Sequence, residues 1–284
     1  MDIRLGDNQY GKAETRLVRV DRHPDRHEVT DLNVSTALSG DLAATHLTGD
    51  NSGVLPTDTQ KNTVYAFARD GVGEIEDFAL RLATHFVTNT PTIRRARVKI
   101  EQYTWERRGH HSFVRGTGTR TTTATFDGTV RTVVSGVDDL VVMNTTGSEF
   151  HGFHKDAYTT LPETNDRILA TALTARWRHE SADNLDWAES HRETTKHLLE
   201  AFADTHSLSL QQTLYAMGER ALRHRDELVE VRLALPNKHH FLVDLSPFEL
   251  DNPGEVFHAA DRPYGLIEGS VVRDGATDPG LAWW

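Results

Sequence analysis

Apolar residues recur along this chain in two rhythms, one of period two and one of period 3.6, and the order of those rhythms predicts the architecture. Leu17, Val18 and Val20 sit among charged residues in a strand entered through Tyr10-Gly11-Lys12. A turn at His23-Pro24-Asp25 separates it from a second long strand, His27 to about His46, in which Val29, Leu32, Val34 and Ala37 alternate with polar residues. Pro56 with Thr57 or Asp58 then opens a helix that runs through Tyr65 and Phe67. In the following stretch, Glu74 to Val87, the residues Ile75, Phe78, Ala79, Leu82, Ala83 and Phe86 return at helical spacing and mark a buried face. Strands Ile93 to Arg107 and Ser112 to Thr125 close this unit, joined through Arg108-Gly109-His110-His111. Adjacent histidines on a strand would point to opposite faces, which argues against joint metal binding by that pair.

From Gly128 the same order restarts. Strands are predicted at Thr129 to Val137, Leu140 to Thr145 and Leu169 to Arg178, with Trp177 buried in the last. Two helices follow, about Trp187 to His206 with Leu198, Leu199 and Phe202 on one side, and about Leu208 to Arg225 with Leu210, Leu214, Met217 and Leu222. Strands Leu228 to Leu235 and His240 to Leu245 and a loop-rich tail complete the chain. The expected class is therefore α+β, with two domains, 1–127 and 128–284, whose equivalence rests on element order.

Composition narrows the function classes. With 284 residues, 37% of them hydrophobic, the chain can bury substantial cores and suits a soluble globular protein. A net charge of -11 argues against a general nucleic-acid or anionic-membrane surface, so an anionic ligand must be attracted locally. The absence of cysteine removes disulfides, thiolate nucleophiles and cysteine-ligated metal sites. No stretch approaches the ~20 apolar residues of a membrane span, and the start, MDIRLGDNQYGK, has no apolar run of a signal peptide. A cytoplasmic protein is expected.

One stretch is built to hold a small planar anion. In FHGFHKDAYTTLPETNDRIL, Phe150 to Leu169, Pro162 at a first helical position with Thr159 or Thr160 as cap predicts a short helical turn that presents Arg167. The guanidinium is a planar donor fork suited to a flat acceptor edge, and Phe150 supplies a ring that can stack on such a ligand, with Phe153 and Tyr158 nearby. The competing reading pairs Arg167 with Asp166 or Glu163 and places the rings in the core.

The stretch resembles the urate oxidases (uricases) in its phenylalanine followed by YTTL and ETNDR. Other matching segments occur in the family's order: Tyr10-Gly11-Lys12, Thr57-Asp58 with Lys61-Asn62-Thr63, the segment Ser207-Leu-Ser-Leu-Gln-Gln, and Leu235-Pro-Asn-Lys-His-His-Phe. Together they cover nearly the whole chain. The resemblance implies a tandem tunnelling fold, antiparallel sheets with paired helices on one face that assemble into a barrel. It also implies oxidation of urate by O2 and water to 5-hydroxyisourate and hydrogen peroxide, with no metal or organic cofactor. By position, Lys12, Thr57 and His239 inherit catalytic roles, and Thr57, Asp58, Phe150, Leu161, Arg167, Leu210, Gln211 and Asn237 inherit substrate binding. Gln211 offers the donor and acceptor that a xanthine-type edge requires. His240, where fungal relatives can carry tyrosine, should face away as the alternate strand residue. The family also implies a homotetramer with active sites at subunit interfaces, Thr57 and Asp58 reaching the site from a neighbour. Eukaryotic members usually carry a peroxisomal C-terminal signal such as SKL; this chain ends in Leu281-Ala-Trp-Trp, which fits a prokaryotic cytoplasm. The alternatives are another tunnelling-fold enzyme acting on a pterin, such as a cyclohydrolase or aldolase, and a non-catalytic purine-binding protein.

Overall fold

The computed structural model describes residues 2–260 and 262–284. They form two compact units, one built from residues 1–136, 177–191 and 275–284, the other from 137–176 and 192–274.

In the first unit, β1 (Tyr10–Arg22), β2 (His27–Gly40), β3 (Ile93–Arg107) and β4 (Phe113–Phe126) pair in sequence order, each antiparallel to the next. The register is set by the apolar alternation, since Val34 opposes Ile100 and Val98 opposes Ala124, all four fully buried on one face. Between β2 and β3 come a short helix α1 (Ala43–Thr48), then α2 (Thr57–Asp70) and α3 (Ile75–Asn89). The face of α3 read from sequence is the buried one: Ile75, Phe78, Ala79, Leu82, Ala83 and Phe86 are wholly inaccessible. Burial of each large side chain contributes roughly 1.5–3 kcal/mol, so this face dominates the helix's stability. A buried carboxylate interrupts it. Glu76 accepts from Arg120 at 2.7 Å and from the Ser135 hydroxyl at 2.8 Å, which supplies the partners that a charge in such a place demands. Even so, burial raises its pKa above the ordinary carboxylate range, against the lowering by Arg120.

Two expectations fail in this unit for identifiable reasons. The second strand stops at Gly40 rather than His46, because Gly40 lies against the backbone of Thr92, where a Cβ would come within 2.0 Å of the carbonyl oxygen, and the chain then turns into α1. α2 does start where expected, with Thr57 its first residue and Pro56 at the cap position, and no side chain caps it. The rings of His110 and His111 do not diverge. Both residues lie in the loop between β3 and β4, outside strand alternation, and their Nδ1 atoms are 3.4 Å apart.

The two strands expected at 129–137 and 140–145 are one, β5 (Arg131–Asn144), in which Asp139 takes a positive φ of 53° without ending the strand. β6 (Leu169–His179), with Trp177 fully buried, and α4 (Trp187–Asp204) follow as anticipated.

In the second unit, α5 (Leu210–His224) packs Leu210, Leu214, Met217, Ala221 and Leu222 inward. Against it lie β7 (Leu228–Asn237) and a strand the sequence reading left in the tail, β10 (Gly265–Val272), antiparallel with Val231 opposite Val271. The expected strand from His240 shrinks to β8 (His240–Leu242), which pairs with β9 (Phe257–Ala259) in a separate two-stranded sheet. No helix among the described residues is long and apolar enough to cross a membrane.

Candidate active site

The segment between β5 and β6 does not contain the helical turn expected at Pro162. Phe150 and Thr164 instead exchange backbone hydrogen bonds of 2.8 and 3.0 Å, closing residues 151–163 into a loop. Thr159, expected as a cap, is occupied elsewhere: its hydroxyl accepts from the Asp156 N–H at 2.8 Å and donates to the Asp156 carboxylate at 2.9 Å, forming a tight turn. Tyr158 at the tip is 90% exposed and offers no ring to a ligand inside the loop. Phe153 does, in part, by stacking on Phe150 with centroids 4.9 Å apart and planes 16° from parallel.

Arg167 is not paired with either carboxylate suggested by sequence. Asp166 accepts from the Thr146 hydroxyl at 2.9 Å and from the Gly147 N–H at 2.9 Å. Glu163 pairs with Lys155 at 3.0 Å. The Arg167 side chain donates only from Nε, to the Ser148 hydroxyl at 3.2 Å, and among the described residues its two terminal nitrogens meet no protein acceptor. Its Cζ lies 5.2 Å from the Phe150 ring centroid, within cation–π range. Burial lowers the guanidinium's pKa from its ordinary value while leaving it charged at any physiological pH.

These groups line a cavity of about 520 Å³ with Leu161, His239 and His240. Leu161 is 53% exposed at its rim. His239 has its pKa depressed by burial first, then by the Arg167 cation and by His240, so its imidazole is neutral near pH 7. His240, expected to face away, lines the same cavity. The alternation behind that expectation does not hold, because β7 ends at Asn237 and β8 begins only at His240.

Leu210, Gln211 and Asn237 do not line this cavity but stand at defined places in the same unit. Ser209 caps α5 by accepting from the Gln212 N–H at 3.2 Å, so buried Leu210 and exposed Gln211 fall in its first turn, where backbone N–H groups lack helical acceptors. Asn237 ends β7 and is 9% exposed.

Lys12, Thr57 and Asp58 belong to the other unit. Lys12 donates its backbone N–H to the Thr36 hydroxyl at 3.2 Å, and the register of β1 slips immediately after it, with Glu14 at φ 54°. A bulge of this kind re-aims side chains. The fully buried Gln60 of α2 accepts from Thr36 at 2.7 Å, and Tyr10 bonds both to the carbonyl and to the N–H of Leu55 at 3.0 Å. Thr36, Gln60 and Tyr10 thus fix the entry to α2, where Thr57 and Asp58 sit; Tyr10 belongs to the motif singled out in the sequence, whereas Thr36 and Gln60 were missed because a polar residue inside a strand or helix carries no signature of its own. Asp58 is held well below the usual carboxylate range by Lys61, with a hydrogen bond from Asn62 and the charge of Lys12 adding to the effect. Among the described residues, no group of three or more histidine or carboxylate side chains is arranged to hold a metal ion.

Comparison with known proteins gives these positions a context. A family model described as uricase matches residues 8–131 and 133–268. The uricase of Arthrobacter globiformis is 50% identical over 282 residues, covering 98% of this chain and 93% of that one. That of Dictyostelium discoideum is 37% identical, covering 95% and 97%. The crystal structure of the Arthrobacter globiformis uricase superposes with a TM-score of 0.94 over 98% of both chains at 50% identity. Urate oxidase from Bacillus sp. TB-90, at 23% identity, shares the fold with a TM-score of 0.81 over 94% of this chain and 100% of that one.

Proposed function

The chain belongs to the uricase family, and from that premise we propose the reaction and the division of labour at its site. Urate, O2 and water give 5-hydroxyisourate and hydrogen peroxide. Urate surrenders two electrons to O2, which takes two protons to become peroxide, and the oxygen of water bonds to the oxidised ring carbon. The observation that carries this reading is Arg167, a half-buried guanidinium with no carboxylate partner, facing a cavity beside an aromatic ring.

Arg167 and Gln211 clamp the ring edge, with the Leu210 backbone N–H, while Phe150 stacks on the ring face and Leu161 packs at its side. Asn237 holds O2 or water above the plane. The neutral imidazole of His239 can take up a proton there, and Lys12 and Thr57 carry protons to and from the ring. Thr57 and Asp58 reach the urate from a neighbouring subunit of a homotetramer. Supporting that assembly, β1 and β10 each pair with one neighbour and leave an edge that a second copy can cover. Apart from the short helix α1 and the small β8–β9 sheet, the order strand, strand, helix, helix, strand, strand occurs twice, in β1 to β4 and in β5 to β10, which supports a tandem tunnelling fold divided at 127/128. The cytoplasm is the proposed compartment.

The test is loss of urate absorbance together with peroxide release by purified protein treated with a strong chelator. One peroxide per urate supports the reading; urate left unchanged, or activity that returns only with added metal, overturns it.

A further inference from the structure

Ser148 is fully buried, and its hydroxyl accepts the Nε–H of Arg167 at 3.2 Å. A buried hydroxyl turned toward a cation, rather than toward solvent or a carboxylate, uses the one guanidinium donor that a ligand in the cavity does not need. The two terminal nitrogens remain unengaged by protein among the described residues. Neighbouring contacts hold the serine in place. The Gly147 N–H, immediately before it, donates to the Asp166 carboxylate at 2.9 Å, so the serine is tethered to the residue that precedes Arg167. It also forms a parallel bridge with Ser207, in which the Glu149 N–H donates to the Ser207 carbonyl at 2.7 Å and the Ser207 N–H to the Gly147 carbonyl at 2.9 Å. Ser207, 1% exposed, is in turn fixed by Thr213 at 2.8 Å and donates to the Ser209 carbonyl at 3.1 Å, directly ahead of Leu210 and Gln211.

We propose that Ser148 is a positioning residue for substrate binding: its hydroxyl locks the Arg167 guanidinium with both terminal nitrogens free for the ligand, and its bridge to Ser207 ties that lock to the start of the helix bearing Gln211. The inference deepens the function proposed above and rests on it. A hydroxyl at this position does no chemistry itself. It removes the rotamer freedom that Arg167 would otherwise lose on binding, and so acts on affinity rather than on the oxidation step.

The experiment is an anaerobic titration with urate, which cannot be oxidised without O2, on wild type, Ser148→Ala, Arg167→Lys and the double variant, with Tm and aerobic kcat measured for each. Ser148→Ala should weaken binding about tenfold, the worth of one hydrogen bond to a charged group, and should raise KM more than it lowers kcat. In the Arg167→Lys background it should have no further effect, because lysine has no Nε donor. A Ser148→Ala protein that binds urate within twofold of wild type, or loses affinity equally in both backgrounds, overturns the proposal. Ser148→Cys, which keeps the volume but is a poor acceptor, should behave like the alanine variant and serves if that one does not fold; failure of both to fold would make Ser148 a core residue and refute its positioning role. Wild type that does not bind urate would instead refute the function on which the inference rests.

Discussion

Replacing Arg167 by lysine separates the functional from the structural reading of that residue most sharply. The substitution preserves the charge and removes the planar fork. From the geometry, a ligand edge can accept two charge-assisted hydrogen bonds from the free terminal nitrogens, and lysine can supply only one along that direction. The lost bond costs about 1.5–3 kcal/mol, and loss of the Ser148 contact that orients the side chain adds about 1 kcal/mol. The sum, about 2.5–4 kcal/mol, corresponds to roughly 60- to 700-fold weaker urate binding. Stability should barely change, because no ion pair is broken: Asp166 and Glu163 have other partners. A shift within about 1 kcal/mol, roughly 2–4 °C in Tm, is expected. Anaerobic urate titration and thermal unfolding of the same preparation decide the matter. A folded Arg167→Lys protein with unchanged urate affinity, or one whose chief defect is a large drop in Tm, would show that Arg167 holds the loop rather than the ligand. Arg167→Met extends the test to pH. The Arg167 cation helps depress the His239 pKa, so its removal should raise that pKa. Activity requiring neutral His239 is lost as pH falls through the depressed value, so the acid limb of kcat/KM should move to higher pH in the methionine variant and stay in place in the lysine one.

Three further outcomes follow from the packing and the charges. Gly218 of α5 lies against Val271 of β10, where an added Cβ would meet Val271 Cγ2 at 2.5 Å; Gly218→Ala should destabilise by about 1–3 kcal/mol in urea unfolding, and Val271→Ala should recover part of the loss. Burial, with Arg120 nearby, lowers the His191 pKa to about 3, so its stabilisation is complete above the unfolded value of 6.5 and is lost as pH falls from there toward 3. By pH 5 the loss should reach about 2 kcal/mol, partly offset by Glu76, whose raised pKa works in the opposite sense, and His191→Gln should flatten the profile of unfolding midpoint against pH. If Lys12 and Thr57 act as one proton-carrying pair, Lys12→Met, Thr57→Ala and the double variant should each lose most of the single-turnover rate by similar factors; losses that simply multiply would show independent action.

Much of the scaffold was readable because local pattern and burial coincide. In α3 the apolar face at helical spacing is the face that is buried, and in β2 and β3 the alternation sets the register directly. Where tertiary contacts decide, the reading failed. β10 carries Gly265 and Gly269 and lacks a clean alternation; it is a strand because β7 pairs with it and because Gly218 lets Val271 approach α5. The break expected between Val137 and Leu140 reads as a turn, yet Asp139 absorbs the irregularity in one positive φ and β5 continues. The predicted helical turn at Pro162 lost to a specific competitor, the Asp156–Thr159 turn, which occupies the hydroxyl a helix cap would have used. At the site, Arg167 and Phe150 stand out by residue type and motif, whereas Ser148 does not. A serine gives no chemical signal until burial leaves its hydroxyl a single use.

The same contacts explain how a chain of net charge -11 can present a cation to an anionic ligand. An unscreened carboxylate 4 Å from Arg167 would attract it by about 4 kcal/mol at an effective dielectric constant of 20, and urate would have to displace it. Four carboxylates lie in the segment from Glu149 to Asp166, and each is committed elsewhere. Glu149 accepts from His151 at 2.8 Å and from His206 at 2.5 Å, Asp156 serves its own turn, Glu163 holds Lys155, and Asp166 holds the Thr146 hydroxyl and the Gly147 N–H. All four have their pKa values lowered by these partners, so they are ionised at neutral pH yet already solvated by protein donors. Asp166 is the sharpest case, being next to Arg167 in sequence. By accepting from Thr146 and the Gly147 N–H and not from the guanidinium, it anchors the backbone from which the Arg167 side chain starts and leaves that charge for the cavity.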